Sequence, residues 1–262
     1  ISTLAKLGLK TGYIGKIADD PKGKVFKKDL IDSSIFYNTK FLDISNIEAT
    51  GKCIVLITPD KERTMNTYLG ATEFLTEIDI DEELIAHSEW LYLEGYRFDG
   101  RKSKVAFYKA IEIAKRNKTK IAITLSDKFC VDRRRPDFID LLNSSADIVF
   151  CNEAELKSLF QVKDIQKAQS FIAANISCLA CTCAERGAYL FQGSSIREIS
   201  TDKVNVIDTT GAGDNFAAGF LYGLSKNFTL EKCAAFGNLI AAEVLKVYGP
   251  RLEKSLKNLI VH

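Results

Sequence analysis

Residues 204–226, VNVIDTTGAGDNFAAGFLYGLSK, carry an apolar run that breaks into a glycine-rich turn and opens directly into a helical pattern. Val204, Val206 and Ile207 read as the end of a buried strand, and Phe216, Ala217, Phe220, Leu221 and Leu224 recur at helical spacing. Between them, Gly211, Ala212 and Gly213 are small enough to let backbone approach a ligand, and the first N–H groups of a helix have no acceptor inside it. Such a loop suits an anion. Two carboxylates flank it, Asp208 and Asp214. A carboxylate repels phosphate, so its presence makes sense if it takes a proton. Phosphoryl transfer to an alcohol needs amide donors around the charge on the moving group and one acceptor for the hydroxyl proton. Gly211 to Gly213 can supply the first and Asp214 the second. The plainer reading of the same residues is a helix N-cap by aspartate after a glycine turn.

Other glycine loops do not fit. A Walker-type loop needs a Gly-Lys-Ser/Thr ending, and the chain contains none. A dinucleotide fingerprint needs glycine where Phe216 stands and an acidic residue closing the next strand about 20 residues on. Glu231 is the nearest candidate, and it sits in a helical pattern.

The segment DTTGAGDNFAAGF (208–220) resembles the second signature of the ribokinase-like (PfkB) family of carbohydrate and nucleoside kinases, and the similarity extends over essentially the whole chain. The resemblance implies a three-layer α/β sandwich, with a mostly parallel central sheet and a small β lid. It implies Asp214 as general base, Gly211, Ala212 and Gly213 as the anion hole, Asp208 in support, orienting the loop or Mg²⁺-bound water, and Asp208 and Thr210 among the cofactor-binding residues. The implied reaction moves the γ-phosphate of ATP, with Mg²⁺, to a hydroxymethyl group of a nucleoside or sugar. Loss of Asp214 or the glycines would favour a non-catalytic nucleotide-binding regulator, and all are present.

With 262 residues, 46% of them hydrophobic and 27% charged, the chain is long enough for one full α/β domain over 1–262. A net charge of +2 from 36 basic and 34 acidic residues gives no field that argues for nucleic acid or membrane. The one local concentration, Asp132-Arg133-Arg134-Arg135, reads as a solvated loop or helix start, or else a contact to ligand phosphate. No run of 18 apolar residues and no signal-peptide layout is present, so a cytoplasmic protein is expected. Seven cysteines lie mostly in apolar runs. Cys178, Cys181 and Cys183 fall inside one strand-like segment with no second pair and only His87 and His262 elsewhere, so they read as buried free thiols rather than metal ligands.

Residues 1–9 look like a helix tail closed by Gly8, and TGYIGKIADDPKGKVF like a strand turning into a helix at Asp19, Asp20 and Gly23. The family usually carries a strand and a substrate-binding aspartate upstream of such a stretch, so part of the substrate site is expected before Ile1. Over 34–70, SIFYNTKFLDI, GKCIVLITPD and ERTMNTYLG suggest three strands in an antiparallel patch. By resemblance this region supplies the lid, and a homodimer through it. Arg63, Asn66 and Tyr68 are the polar residues there that either enter the site or face solvent. TMNTYLGA (64–71) resembles the bacterial adenosine-kinase-like branch.

From residue 85 strands and helices alternate, the signal for a parallel sheet. Asn152 and Glu155, at a strand's carboxyl end, form an Asn-x-x-Glu that also reads as a helix capping box. The resemblance links the pair to Mg²⁺ and phosphate, through water, which suits an ion that keeps much of its hydration. LACTCAERGAYLF resembles the family's nucleotide-facing Thr-x-Gly-x-x-Gly segment, with Thr182 and Gly187 matching and Ala184 where glycine is usual. The Ala- and Gly-rich helix after the loop packs tightly, and the resemblance makes Asn238 on it and Gly249 after it candidates for ATP contact.

Overall fold

The computed structural model describes residues 1–38, 49–59, 63–253 and 255–259. The chain divides into two compact units, one built from 1–75 with 201–262, the other from 76–200.

The first unit opens with α1 (Ser2–Lys6), β1 (Thr11–Tyr13), α2 (Pro21–Asp32) and β2 (Ile35–Tyr37). Asp20 caps α2 by accepting from Gly23 N at 2.7 Å, with Pro21 at the first helical position, where its missing N–H costs nothing. Because a helix separates them, β1 and β2 pair in parallel. The expected three-stranded antiparallel patch is thus corrected. Its first strand belongs to the β1–α2–β2 crossover, and the remainder of that segment lies outside the described residues. The other two strands, β3 (Lys52–Ile57) and β4 (Arg63–Tyr68), do form an antiparallel hairpin.

The second unit begins with α3 (Glu82–Ala86) and continues as β5 (Trp90–Glu94), α4 (Arg101–Asn117), β6 (Lys120–Thr124), α5 (Lys128–Ser145) and β7 (Ile148–Asn152). There follow α6 (Glu153–Phe160), α7 (Gln169–Asn175), β8 (Leu179–Thr182), β9 (Ala188–Gln192) and β10 (Ser195–Ile199). The sheet order is β10-β9-β8-β7-β6-β5, parallel from β5 to β8 and antiparallel at β9 and β10. Ile121, Ile123, Val149, Leu179 and Ala180 are buried, as befits strands covered on both faces. The Asp132–Arg135 run lies within α5, not in a loop. The helix departs from helical geometry at Arg134 (φ −124°, ψ 22°), two residues before Pro136, whose ring and missing N–H disrupt the preceding turn.

The chain then returns to the first unit. Val204, Val206 and Ile207 form no strand, and none of the three is fully buried. The segment is tied instead to a helix end: Ile207 N donates to Leu245 O at 2.8 Å. α8 (Ala212–Ser225) and α9 (Leu230–Val244) complete the unit. They touch through glycine, since a Cβ on Gly219 would lie 2.8 Å from Gly237 Cα. Leu7, Tyr222, Phe236, Ile240, Val244, Leu252 and Leu256 form a core around them.

Candidate active site

In the first unit the loop from Asp208 to Asp214 is built around the start of α8. Gly211 is the N-cap and adopts φ 78°, a left-handed conformation that favours glycine. It also lies against Pro250, where a Cβ would come within 2.6 Å of the proline Cβ. Gly213 differs: a Cβ there would meet nothing within 4 Å. The first-turn amides of Gly213 and Asp214 have no protein acceptor among the described residues, as expected of helix starts. Ala212 N makes a long bond, 3.3 Å, back to Thr209 O. Asp214 stands exposed in the same turn, and its carboxylate makes no hydrogen bond or ion pair among the described residues.

Asp208 has the opposite environment. It is 1% exposed and accepts from Thr210 N at 2.8 Å, Thr210 Oγ1 at 2.7 Å and Gly249 N at 2.8 Å. Burial pushes its carboxyl upward. The bonds from Thr210 and Gly249, aided by the Arg63 charge, outweigh burial and hold it below the usual carboxylate range. Asp208 thus clamps Thr210 to the Gly249 turn that follows α9. Asn238 is buried within α9.

The hairpin reaches this loop through Arg63, whose Nη1 donates to Thr209 Oγ1 at 2.8 Å. Strand alternation then sorts its polar residues. Arg63 shares a face with Met65 and Thr67 and, across the ladder, with Cys53, Val55 and Ile57. Asn66 and Tyr68 fall on the other face, with Ile54 and Leu56. Parity alone separates Arg63 from Asn66 and Tyr68, a signal already present in the sequence.

In the second unit the parallel strands end in two level pairs, Glu94 opposite Thr124 and Asn152 opposite Thr182, with β7 reaching two residues past the Phe150 that faces Thr124. This carboxyl edge is where ligands gather in open α/β sheets. Asn152 and Glu155 form a complete capping box: Glu155 N donates to Asn152 Oδ1 at 2.9 Å, and Asn152 N and Nδ2 donate to the two Glu155 oxygens at 3.0 and 2.6 Å. Glu155 is buried, so the pair fits a hydrated Mg²⁺ reached through water rather than a directly ligated ion. Among the described residues no group of three His, Cys, Asp or Glu is arranged to hold a metal.

Thr182 Oγ1 donates to Cys151 O at 3.4 Å, and Gly187 takes φ 84°, ψ −123°, a region open to glycine alone. Ala184 has φ 49°, so the position where the resemblance expects glycine is left-handed here too. Cys178, Cys181 and Cys183 are buried free thiols, and the shared hydrogen bonds of the Cys151–Cys181–Cys183 row together with burial push Cys181 and Cys183 well up. No helix among the described residues is long and apolar enough to cross a membrane.

Of the residues singled out in the sequence, Asp208, Thr210, Gly211, Ala212, Gly213, Asp214, Asn238 and Gly249 belong to the first unit, and Asn152, Glu155, Thr182 and Gly187 to the second.

The chain is similar to the adenosine kinase of Sinorhizobium meliloti, with 37% identity and a TM-score of 0.94 over 98% of this chain and 79% of that one. A probable sugar kinase of Rhizobium etli superposes equally well, at TM-score 0.94 and 38% identity over 98% of this chain and 78% of that one. An uncharacterized sugar kinase of Archaeoglobus fulgidus is 26% identical over 95% of this chain and 96% of its own length. A putative ribokinase II of E. coli, solved with ATP and Mg²⁺, shares the fold at TM-score 0.86 and 20% identity over 95% of this chain and 81% of that one. The fold is therefore ribokinase-like, with a mostly parallel central sheet. The model of the pfkB carbohydrate kinase family matches residues 2–256, and the chain belongs to that family.

Proposed function

We propose that the protein transfers the γ-phosphoryl group of ATP to a hydroxymethyl group, and that its acceptor is a nucleoside of the adenosine type. The observation that carries the reaction is the exposed Asp214 carboxylate, which has no partner among the described residues, in the same helical turn as the Gly213 and Asp214 amides, which have no acceptor among them either. As the acceptor oxygen bonds to the γ-phosphorus and the bond to the ADP oxygen breaks, Asp214 takes the hydroxyl proton. The Gly211 to Gly213 backbone stabilises the charge on the moving group, and Arg63 adds a cation beside it. Asp208 and Thr210 hold the loop in shape. Thr182, Gly187, Asn238 and Gly249 are proposed to contact the nucleotide. Asn152 and Glu155 would hold hydrated Mg²⁺, which supplies charge neutralisation on the phosphates.

The nucleoside preference is supported by the hairpin face that carries Arg63. Val55, Ile57 and Met65 lie on it, with Cys53 and Thr67 as its only other members in the ladder. Such a face offers contact area to a planar base and little to the several hydroxyls of a free sugar. The relatives named as sugar kinases favour the alternative, a fructokinase- or ribokinase-type acceptor. A homodimer through the opposite face, where Ile54 and Leu56 are exposed, is part of the same proposal.

ADP release with Mg-ATP against adenosine, other nucleosides, ribose, fructose and fructose phosphates tests the reading. Turnover with adenosine is expected, and the Asp214→Asn variant should keep the fold and lose about 10²–10⁴-fold in kcat. Turnover with a sugar alone would replace the acceptor and keep the mechanism. No turnover on the whole panel would overturn the enzyme reading.

A further inference from the structure

Asn215 follows Asp214 directly but faces the interior, at 2% exposure. Its amide is fully used. Nδ2 donates to Gly211 O at 2.9 Å and to Pro250 O at 3.1 Å, and Oδ1 accepts from the Thr3 hydroxyl at 2.7 Å. Thr3 is itself buried, on α1. Three segments distant in sequence therefore meet on one side chain, all within the same compact unit.

Each contact bears on the loop. Gly211 is the left-handed N-cap, Pro250 is the residue packed against it, and Gly249 next door donates to Asp208. In a trans peptide the C=O and N–H point in opposite directions. A Gly211 carbonyl drawn inward by Asn215 therefore turns the Ala212 N–H toward the start of the helix, where it makes its long 3.3 Å bond to Thr209 O and where the Gly213 and Asp214 amides also point. Holding Pro250 against Gly211 fixes the other wall. The backbone N–H of Asn215 bonds to the same Gly211 carbonyl at 2.9 Å, so both ends of the residue grip one peptide.

We propose that Asn215 is the positioning residue of the phosphoryl-transfer loop, and that Thr3 fixes the orientation of its amide. Asn215 contacts neither substrate; it acts through the peptides of Gly211 and Pro250 on the anion-facing amides and on Asp214. The inference rests on the phosphotransferase reading above. A shift of about 1 Å in such a loop is enough to cost roughly 100-fold in rate.

The test is steady-state kinetics of the full chain, with kcat and KM for ATP and acceptor measured beside a thermal melt. Asn215→Ala should lower kcat about 10- to 100-fold with KM for ATP little changed and the melt still cooperative. Thr3→Val keeps both donor bonds, so its loss should be smaller, and Thr3→Ser should restore the wild-type rate. An Asn215→Ala protein that melts earlier yet turns over at the wild-type rate below its transition would reduce the residue to a stabilising role and overturn the proposal. If Asn215→Ala does not fold, the Thr3 pair decides: equal kcat in Thr3→Val and wild type overturns it. A wild-type protein silent on every acceptor removes the kinase reading itself, and the positioning role with it, a failure distinct from an active wild type with an indifferent Asn215→Ala.

Discussion

Gly211 and Gly213 stand two apart in one loop, yet a methyl group would meet opposite surroundings at the two. At Gly211 it would strike Pro250 at 2.6 Å on a backbone with φ 78°. Gly211→Ala should therefore destabilise by at least about 2 kcal/mol. At Gly213 the methyl meets nothing, and alanine is the better helix former, so Gly213→Ala should be neutral or stabilising by up to about 1 kcal/mol. Its cost should appear in catalysis, as a loss in kcat/KM of at least about tenfold, because the added group stands where the phosphoryl group is proposed to lie. Denaturant melts and kinetics on the two variants check this; a fully active Gly213→Ala would place the anion elsewhere. Asp208 is the other residue whose role is written in its surroundings. Its folded-state carboxyl is held below the ordinary value of about 4, so the stabilisation it gives is complete above that value and is lost as pH falls through the lower folded one. Asp208→Asn, which turns an acceptor into a donor facing other donors, should cost about 1–3 kcal/mol at neutral pH. The gap between wild type and variant should stay constant from about pH 5 to 8 and narrow only below about pH 4. A gap that widens in acid would contradict this account.

Helices α8 and α9 show how far an element can be read before its partner is known. Their apolar spacing and small residues are visible in the sequence, and so is the glycine turn that opens α8. That Gly219 meets the Gly237 backbone is not visible, because a contact between helices depends on crossing point and angle. Gly219→Ala would press a methyl on Gly237 Cα at 2.8 Å and Phe236 O at 2.9 Å, both backbone atoms that cannot rotate away. The expected cost is about 1–3 kcal/mol, a fall in Tm of roughly 5 °C, with KM values unchanged in the folded protein. The same limit explains the strand that does not form. Val204, Val206 and Ile207 have strand-like composition, but a strand needs a neighbour, and the Ile207 N–H bonds to Leu245 at the end of α9 instead. In the 34–70 region local pattern found the hairpin and missed that β2 pairs in parallel with β1, although α2 between them already dictated it. Asn215 was hidden for a related reason: a single asparagine on an apolar helix face carries no sign of the Thr3 and Pro250 groups it will meet.

Across the whole molecule the two units use one chain in different ways, and their backbones should open at different rates. In the 76–200 unit the strands β6, β7 and β8 each pair on both sides, and Ala122, Ile123, Val149, Leu179 and Ala180 are fully buried. Amides there can exchange only when much of that unit opens. Among the described residues the β3–β4 hairpin pairs only with itself, and every residue of β4 is exposed. A two-stranded ribbon in which only Val55 and Ile57 of β3 are half-buried is marginal in water, and among the described residues its side-chain tether to the loop is the bond from Arg63 to Thr209. Hydrogen exchange should therefore find the hairpin among the fastest ladders in the unliganded protein and β6 to β8 among the slowest. If the hairpin is a lid, Mg-ATP together with the acceptor should slow its exchange by about tenfold or more, a shift of at least 1.4 kcal/mol in local opening. Arg63→Ala should abolish most of that protection while leaving the slow strands untouched. A hairpin already as protected as β7 before ligand is added would remove the lid from the mechanism, and would leave Arg63 as a fixed member of the anion loop rather than one that arrives with closure.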